Sequence, residues 1–127
     1  LLDCGGAAIL QMNLGRVGGL LEAKKIAGMA EVRHAQIAPH LYCGPVVGAA
    51  NVQLATCSPN FLILESIEDW GGFHSQILKT PMRFEDGHVV PPTAPGLGVE
   101  LNDEVALAHP YTGDMLHLDM TQHPVSQ

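Results

Sequence analysis

Basic residues are scarce in this chain: six Lys and Arg stand against thirteen Asp and Glu, a formal charge of −7. That balance argues against nucleic acid as a partner, because phosphate binding demands a basic footprint. Three cysteines, Cys4, Cys43 and Cys57, are odd in number and lack CxxC spacing. A disulfide framework is therefore not expected, and a reduced, cytoplasmic setting is. The seven histidines show no HxH or HxxxH pairing, so a zinc cluster lacks its usual spacing. No apolar run approaches the ~20 residues that cross a bilayer, so no membrane partner is expected. The start lacks the basic region of a signal peptide. An initiator Met is missing too, and Leu1-Leu2-Asp3-Cys4-Gly5-Gly6 reads as a helix ending in a loop, so the chain is expected to be the later part of something larger.

What remains is apolar and small. Of 127 residues 46% are hydrophobic but only 5% aromatic. That suits one ordinary folded domain with helices packed closely on a sheet, not a disordered segment. The first half alternates two patterns. Residues 8–12 are a short buried strand, and 14–19 a glycine-containing loop with Arg16. Residues 20–32 place Leu20, Leu21, Ile26, Ala27, Met29 and Ala30 among charged neighbours, which predicts an amphipathic helix with Lys24, Lys25 and Glu31 on its solvated face. Residues 36–38 are the next strand, stopped by Pro39. Gly44-Pro45 then opens a helix running to about Cys57. Ser58-Pro59-Asn60 breaks it, and 61–64 is a third strand. Short connections in a β-α-β-α-β order imply parallel strands and right-handed crossovers.

Just past the ends of these strands stand Asn13, His40 and Glu65. In a parallel sheet or barrel, successive strand ends open on one face, where function sits. After Glu65 the character changes. A short helix is expected within 70–79, a hairpin-like turn within 84–90, a proline-rich stretch at 91–95, and a helix at 103–108 capped by Asn102. From His109 the chain reads as a loosely held tail. Gly96-Leu97-Gly98 lacks the third glycine of a nucleotide loop.

Several of these stretches, taken together and in order, resemble the enolase superfamily, within it the mandelate racemase branch and its acid-sugar (galactonate-type) dehydratases. Ile9-Leu10-Gln11-Met12-Asn13-Leu14-Gly15-Arg16-Val17-Gly18-Gly19 with Lys25-Ile26-Ala27 is similar to that branch's sixth barrel strand and helix. Ala38-Pro39-His40 with Gly44-Pro45-Val46 is similar to its seventh strand, and Ser58 through Glu65 to its eighth. Residues 95–101 resemble the segment that returns to the capping domain. The resemblance implies an α/β fold: about strands six to eight of a (β/α)₇β TIM-like barrel, then a segment returning to an α+β cap. It divides the chain at about residue 70, with 1–70 in the barrel and 71–127 packing on barrel and cap.

The resemblance also implies a chemistry, in which the proton next to a substrate carboxylate is removed and Mg²⁺ holds the enediolate. His40 matches the general acid/base, which in dehydratases also protonates the departing hydroxyl. Glu65 matches the residue that hydrogen-bonds the substrate carboxylate. Asn13 departs from the pattern. The branch has Asp there, orienting the histidine and stabilising its protonated form; Asn can orient but brings no charge. Leu41 departs as well, since many dehydratase relatives carry Asn. The three Mg²⁺ carboxylates and a second base belong to strands two to five, which this chain lacks, and Asp3, Asp69 and Asp86 are poor substitutes. The implied whole is a Mg²⁺-dependent lyase acting on a small sugar acid, cytoplasmic and homo-oligomeric. The other readings are a non-catalytic relative or remnant, a racemase or cycloisomerase of the same branch, and a self-contained α/β binding module.

Overall fold

The computed structural model describes residues 1–67 and 70–111. Its first half is built from two short parallel strands, β1 (Ile9–Leu10) and β2 (Gln36–Ile37), in register Ile9 to Gln36 and Leu10 to Ile37. A third extended segment lies on the other side of β2 through a parallel bridge between Ile37 and Phe61. The hydrogen bonds continue the pattern: Gln36 N–H donates to Ala8 O, Ala38 N–H to Leu10 O, Ile37 N–H to Asn60 O, and Leu62 N–H to Ile37 O. The expected strand at 61–64 is therefore one bridged residue followed by extended backbone. Among the described residues nothing pairs with its outer side.

Between β1 and β2 run α1 (Leu14–Val17) and α2 (Leu20–Val32). The stretch 14–19, expected as a loop, contains a helical turn ended by Gly18 at φ 103. A β-carbon at Gly18 would be strained at that angle. The α2 bounds match the apolar pattern, and Ala27 and Ala30 of that pattern are buried, but Leu21 and Met29 are not. Ala23, Ala27 and Ala30 are its buried residues, while Leu21 and Met29 are 69% and 64% exposed. Alanine lets the helix axis approach the strands, and a larger side chain on that face would hold it away. α3 (Pro45–Thr56) starts at Gly44, with proline in its first turn, and buries Gly48, Ala49, Asn51, Val52 and Leu54. Ile37 and Leu54, both fully buried, join the α2 alanines, Met12 and Leu14 in one core cluster.

Asn60 ties this half together from a loop. Its amide nitrogen donates to Ala27 O at 3.0 Å and to Ala35 O at 2.9 Å, linking α2 to the entry of β2. The second half is looser. The expected helix within 70–79 is a 3-10 turn, Gly72–Gln76. An antiparallel hairpin follows, β3 (Arg83–Glu85) with β4 (His88–Val90), turned by Asp86 at φ 49 and Gly87 at φ 75. Leu78 and Leu101 form an antiparallel bridge. Beside it the Glu100 carboxylate pairs with Lys79 and holds that ammonium above its usual range. α4 (Asp103–Ala108) has Asn102 at its N-cap, the side chain accepting from Val105 N–H. The Phe73 ring stacks on His109. Of the expected tail, residues 112–127 lie outside the described residues, as does Asp69.

Candidate functional site

The ends of β1, β2 and the Phe61 segment release their chains on the same side, and Asn13, His40 and Glu65 meet there. Asn13 follows β1 as the N-cap of α1, in extended conformation and with no capping bond from its side chain. Its amide is thus left for another use. The Asn13 Nδ2 lies 2.8 Å from His40 Nδ1 and 3.4 Å from Cys43 Sγ. His40 Nε2 in turn faces Glu65 Oε2 at 3.9 Å. Asn13 is 7% exposed, whereas the His40 and Glu65 side chains are 32% and 44% exposed. The order is a buried amide, a half-buried imidazole and an accessible carboxylate.

His40 is held by its backbone from two directions. Its N–H donates to Met12 O on the β1 side. Its carbonyl accepts from Asn51 Nδ2 on α3 at 3.1 Å. Asn51 is fully buried, and its Oδ1 has no protein partner. Keeping such a group in an apolar helix face costs stability unless its donor is used. Glu65 is held just as directly. Its Oε2 accepts from Leu41 N–H at 2.8 Å and from Gln11 Nε2 at 3.2 Å. Two N–H donors on one oxygen fix the plane of the carboxyl group.

Gln11, Cys43 and Asn51 did not stand out in the sequence. Gln11 had a signal: it precedes Asn13 by two residues, so strand alternation sends both side chains to one face. Asn51 is the polar residue inside Val46-Val47-Gly48-Ala49-Ala50-Asn51-Val52, a break in an apolar run that invites a reason. Cys43 offered none. At position 41 the structure uses the backbone N–H, which Leu supplies as well as Asn would.

A cleft of about 250 Å³, lined by Tyr42, Cys43, Gly44, Ile67, Trp70, Gly71 and His74, shares Cys43 with this cluster. A larger groove of about 760 Å³ runs between α3, residues 61–64 and the hairpin, and holds none of the three candidates. For magnesium, the chain's own donors do not fit. Among the described residues no group of three or more His, Cys, Asp or Glu gathers where a metal could be held. Asp3 pairs with Arg33 at 2.6 Å, Asp86 sits in the hairpin turn, and Glu65 Oε2 already accepts two hydrogen bonds.

Helices crossing between parallel strands, with polar groups gathered beyond the strands' C-terminal ends, define a crossover α/β domain with its cleft at the sheet's carboxyl edge. The chain belongs to the enolase C-terminal domain-like family, whose model matches residues 1–105. It is similar to a D-galactonate dehydratase of Ralstonia nicotianae, 36% identical over 115 residues that cover 84% of this chain and 29% of the relative. A D-xylonate dehydratase of Haloferax volcanii is 32% identical, covering 91% of this chain and 28% of its own length. Among solved structures, a mandelate racemase/muconate lactonizing enzyme from Sulfitobacter sp. superposes with a TM-score of 0.82 at 59% identity, over 92% of this chain and 29% of that one. The chain thus spans less than a third of the length of these relatives. Among the described residues no helix is long and apolar enough to cross a membrane.

Proposed function

We propose that this chain is the C-terminal part of a Mg²⁺-dependent acid-sugar dehydratase, supplying strands six to eight of its barrel within 1–70 and a segment toward the cap from 71 on. The whole protein is read as a cytoplasmic homo-oligomer acting on a small sugar acid. Similarity to dehydratases of galactonate and xylonate supports the substrate class. The observation that carries the reading is the convergence of His40, Asn13 and Glu65 within hydrogen-bond or ion-pair range at three neighbouring strand ends.

In this reading the reaction removes the proton beside the substrate carboxylate and expels the neighbouring hydroxyl as water. The resulting enol becomes a 2-oxo acid. Bound magnesium would supply charge for the carboxylate oxygens, from ligands outside this chain. To hydrogen-bond the substrate carboxylate Glu65 must donate, which in this reading requires a proton on Oε1, since Oε2 already accepts from Leu41 N–H and Gln11 Nε2. His40, oriented by Asn13, exchanges hydrogen bonds with the reacting carbon's hydroxyl neighbour, and the half-buried setting limits competing water.

The test is the full-length protein assayed for 2-oxo acid from galactonate and xylonate with Mg²⁺. His40→Ala should lower turnover by roughly 10²- to 10⁴-fold while Mg²⁺ binding, read by calorimetry, is unchanged. Wild-type turnover in His40→Ala would overturn the role given to His40. An epimerised acid without a 2-oxo product would indicate a racemase of the same branch. No chemistry in the wild type with any sugar acid would favour the non-catalytic relative, for which the loss of Asp at position 13 is the motive.

A further inference from the structure

The hydrogen-bond polarity around His40 runs one way, and it decides which ring nitrogen holds the proton. An amide nitrogen only donates. Asn13 Nδ2 has two hydrogens, and the structure sets two acceptors against it, His40 Nδ1 at 2.8 Å and Cys43 Sγ at 3.4 Å. With a donor on Nδ1, that nitrogen presents its lone pair, so in the neutral imidazole the hydrogen resides on Nε2. The opposite side of the ring agrees independently. Nε2 faces Glu65 Oε2 at 3.9 Å, an oxygen already accepting from Leu41 N–H and Gln11 Nε2. An N–H pointing at that acceptor is attracted, whereas a bare lone pair would be repelled. Rotating the Asn13 amide would put Oδ1 on Nδ1 and leave Nε2 bare against the carboxylate.

We propose that Asn13 holds neutral His40 as its Nε2–H tautomer, so that His40 serves as a hydrogen-bond donor in the cleft and not as the base that removes the carbon-bound proton. An aspartate at position 13 would do the reverse: its oxygen accepts from Nδ1–H and leaves the Nε2 lone pair free. The assignment rests on the dehydratase reading for its role, but not for its geometry. It requires the base to come from the part of the full-length protein outside this chain. Gln11 belongs to the same arrangement as a positioning residue, since it keeps Oε2 an acceptor and leaves Oε1 to face substrate.

The tautomer is measured directly by ¹⁵N NMR of histidine-labelled full-length protein at alkaline pH, where imidazoles are neutral. His40→Gln identifies the His40 pair of signals by their disappearance. The expected result is a protonated, pyrrole-type Nε2 and an unprotonated, pyridine-type Nδ1 in the wild type. In Asn13→Asp the two should exchange. A pyridine-type Nε2 in the wild type overturns the proposal, as does an Asn13→Asp spectrum identical to the wild type. Neither outcome depends on turnover. If the wild type forms no 2-oxo acid from any sugar acid while the tautomer is as expected, the dehydratase reading fails alone. If His40→Ala is inactive and the tautomer is reversed, this inference fails alone.

Discussion

Two asparagines at the residue scale do opposite work with the same side chain. Asn13 spends its amide on the imidazole, while Asn60 spends its amide on two backbone carbonyls, Ala27 O and Ala35 O. Replacing Asn60 by Ala removes its donor from both carbonyls, with Ala27 O keeping its bond within the helix, and the expected cost is roughly 1–2 kcal/mol. Urea unfolding of the full-length protein checks this, with a lowered midpoint and an unchanged slope. A midpoint equal to wild type would mean that water replaces the amide at both carbonyls. Gln11 should behave in the other way. It is exposed and touches Glu65, so Gln11→Met should leave the urea midpoint within about 0.5 kcal/mol and lower kcat about tenfold, the worth of one positioned hydrogen bond. A Gln11→Met enzyme with wild-type kcat would show that Leu41 N–H holds the carboxylate by itself.

Each helix, at the scale of the element, was legible to a different degree. Residues 20–32 could be bounded because glycine and charge punctuate both ends. The buried face is legible only in part: Ala27 and Ala30 belong to the apolar pattern and are buried, but hydropathy ranks Leu21 and Met29 above them, whereas close approach to a strand selects the smallest apolar side chain. Ala27, 1% exposed, makes the point testable. Ala27→Leu should overpack the contact and cost about 1–3 kcal/mol, whereas Met29→Ala on the exposed side should be nearly neutral. Equal effects in thermal unfolding would reject the alanine face. The turn at 14–17 is hidden in the sequence because three glycines within six residues suggest a loop, and yet Gly18 serves as the stop that ends the turn. The strand at 61–64 was overread, since an apolar run shows burial and not pairing. His40 and Glu65 were readable from their places after strands. Their supports, Gln11, Asn51 and the Leu41 N–H, were not, because backbone donors have no letter and buried amides look like surface ones.

The whole molecule leaves two strand flanks open. Ile9 is 48% exposed on one side of the sheet, and Leu62 and Ile63 are 44% and 63% exposed on the other. Among the described residues nothing hydrogen-bonds either outer edge. Unpaired apolar edges invite further strands, so the 127-residue polypeptide made by itself should self-associate. Sedimentation should find species heavier than one chain, and co-expression with the preceding part of the full-length protein should return it to solution. A cooperatively folding monomer would reject the edge argument and favour a self-contained α/β module.

Between those edges β2 is the inner strand, with its N–H and C=O groups bonded on both sides. Fraying that begins at either rim must consume a neighbour before it reaches Ile37. Amide hydrogen exchange should therefore be slowest at Ile37 and Ala38 and faster at Leu62, with His40, anchored to Met12 O, following the inner strand. The cluster at the strand ends would then outlast the loosening of the rest: the imidazole is moored to the last part of the sheet to exchange its protons with solvent.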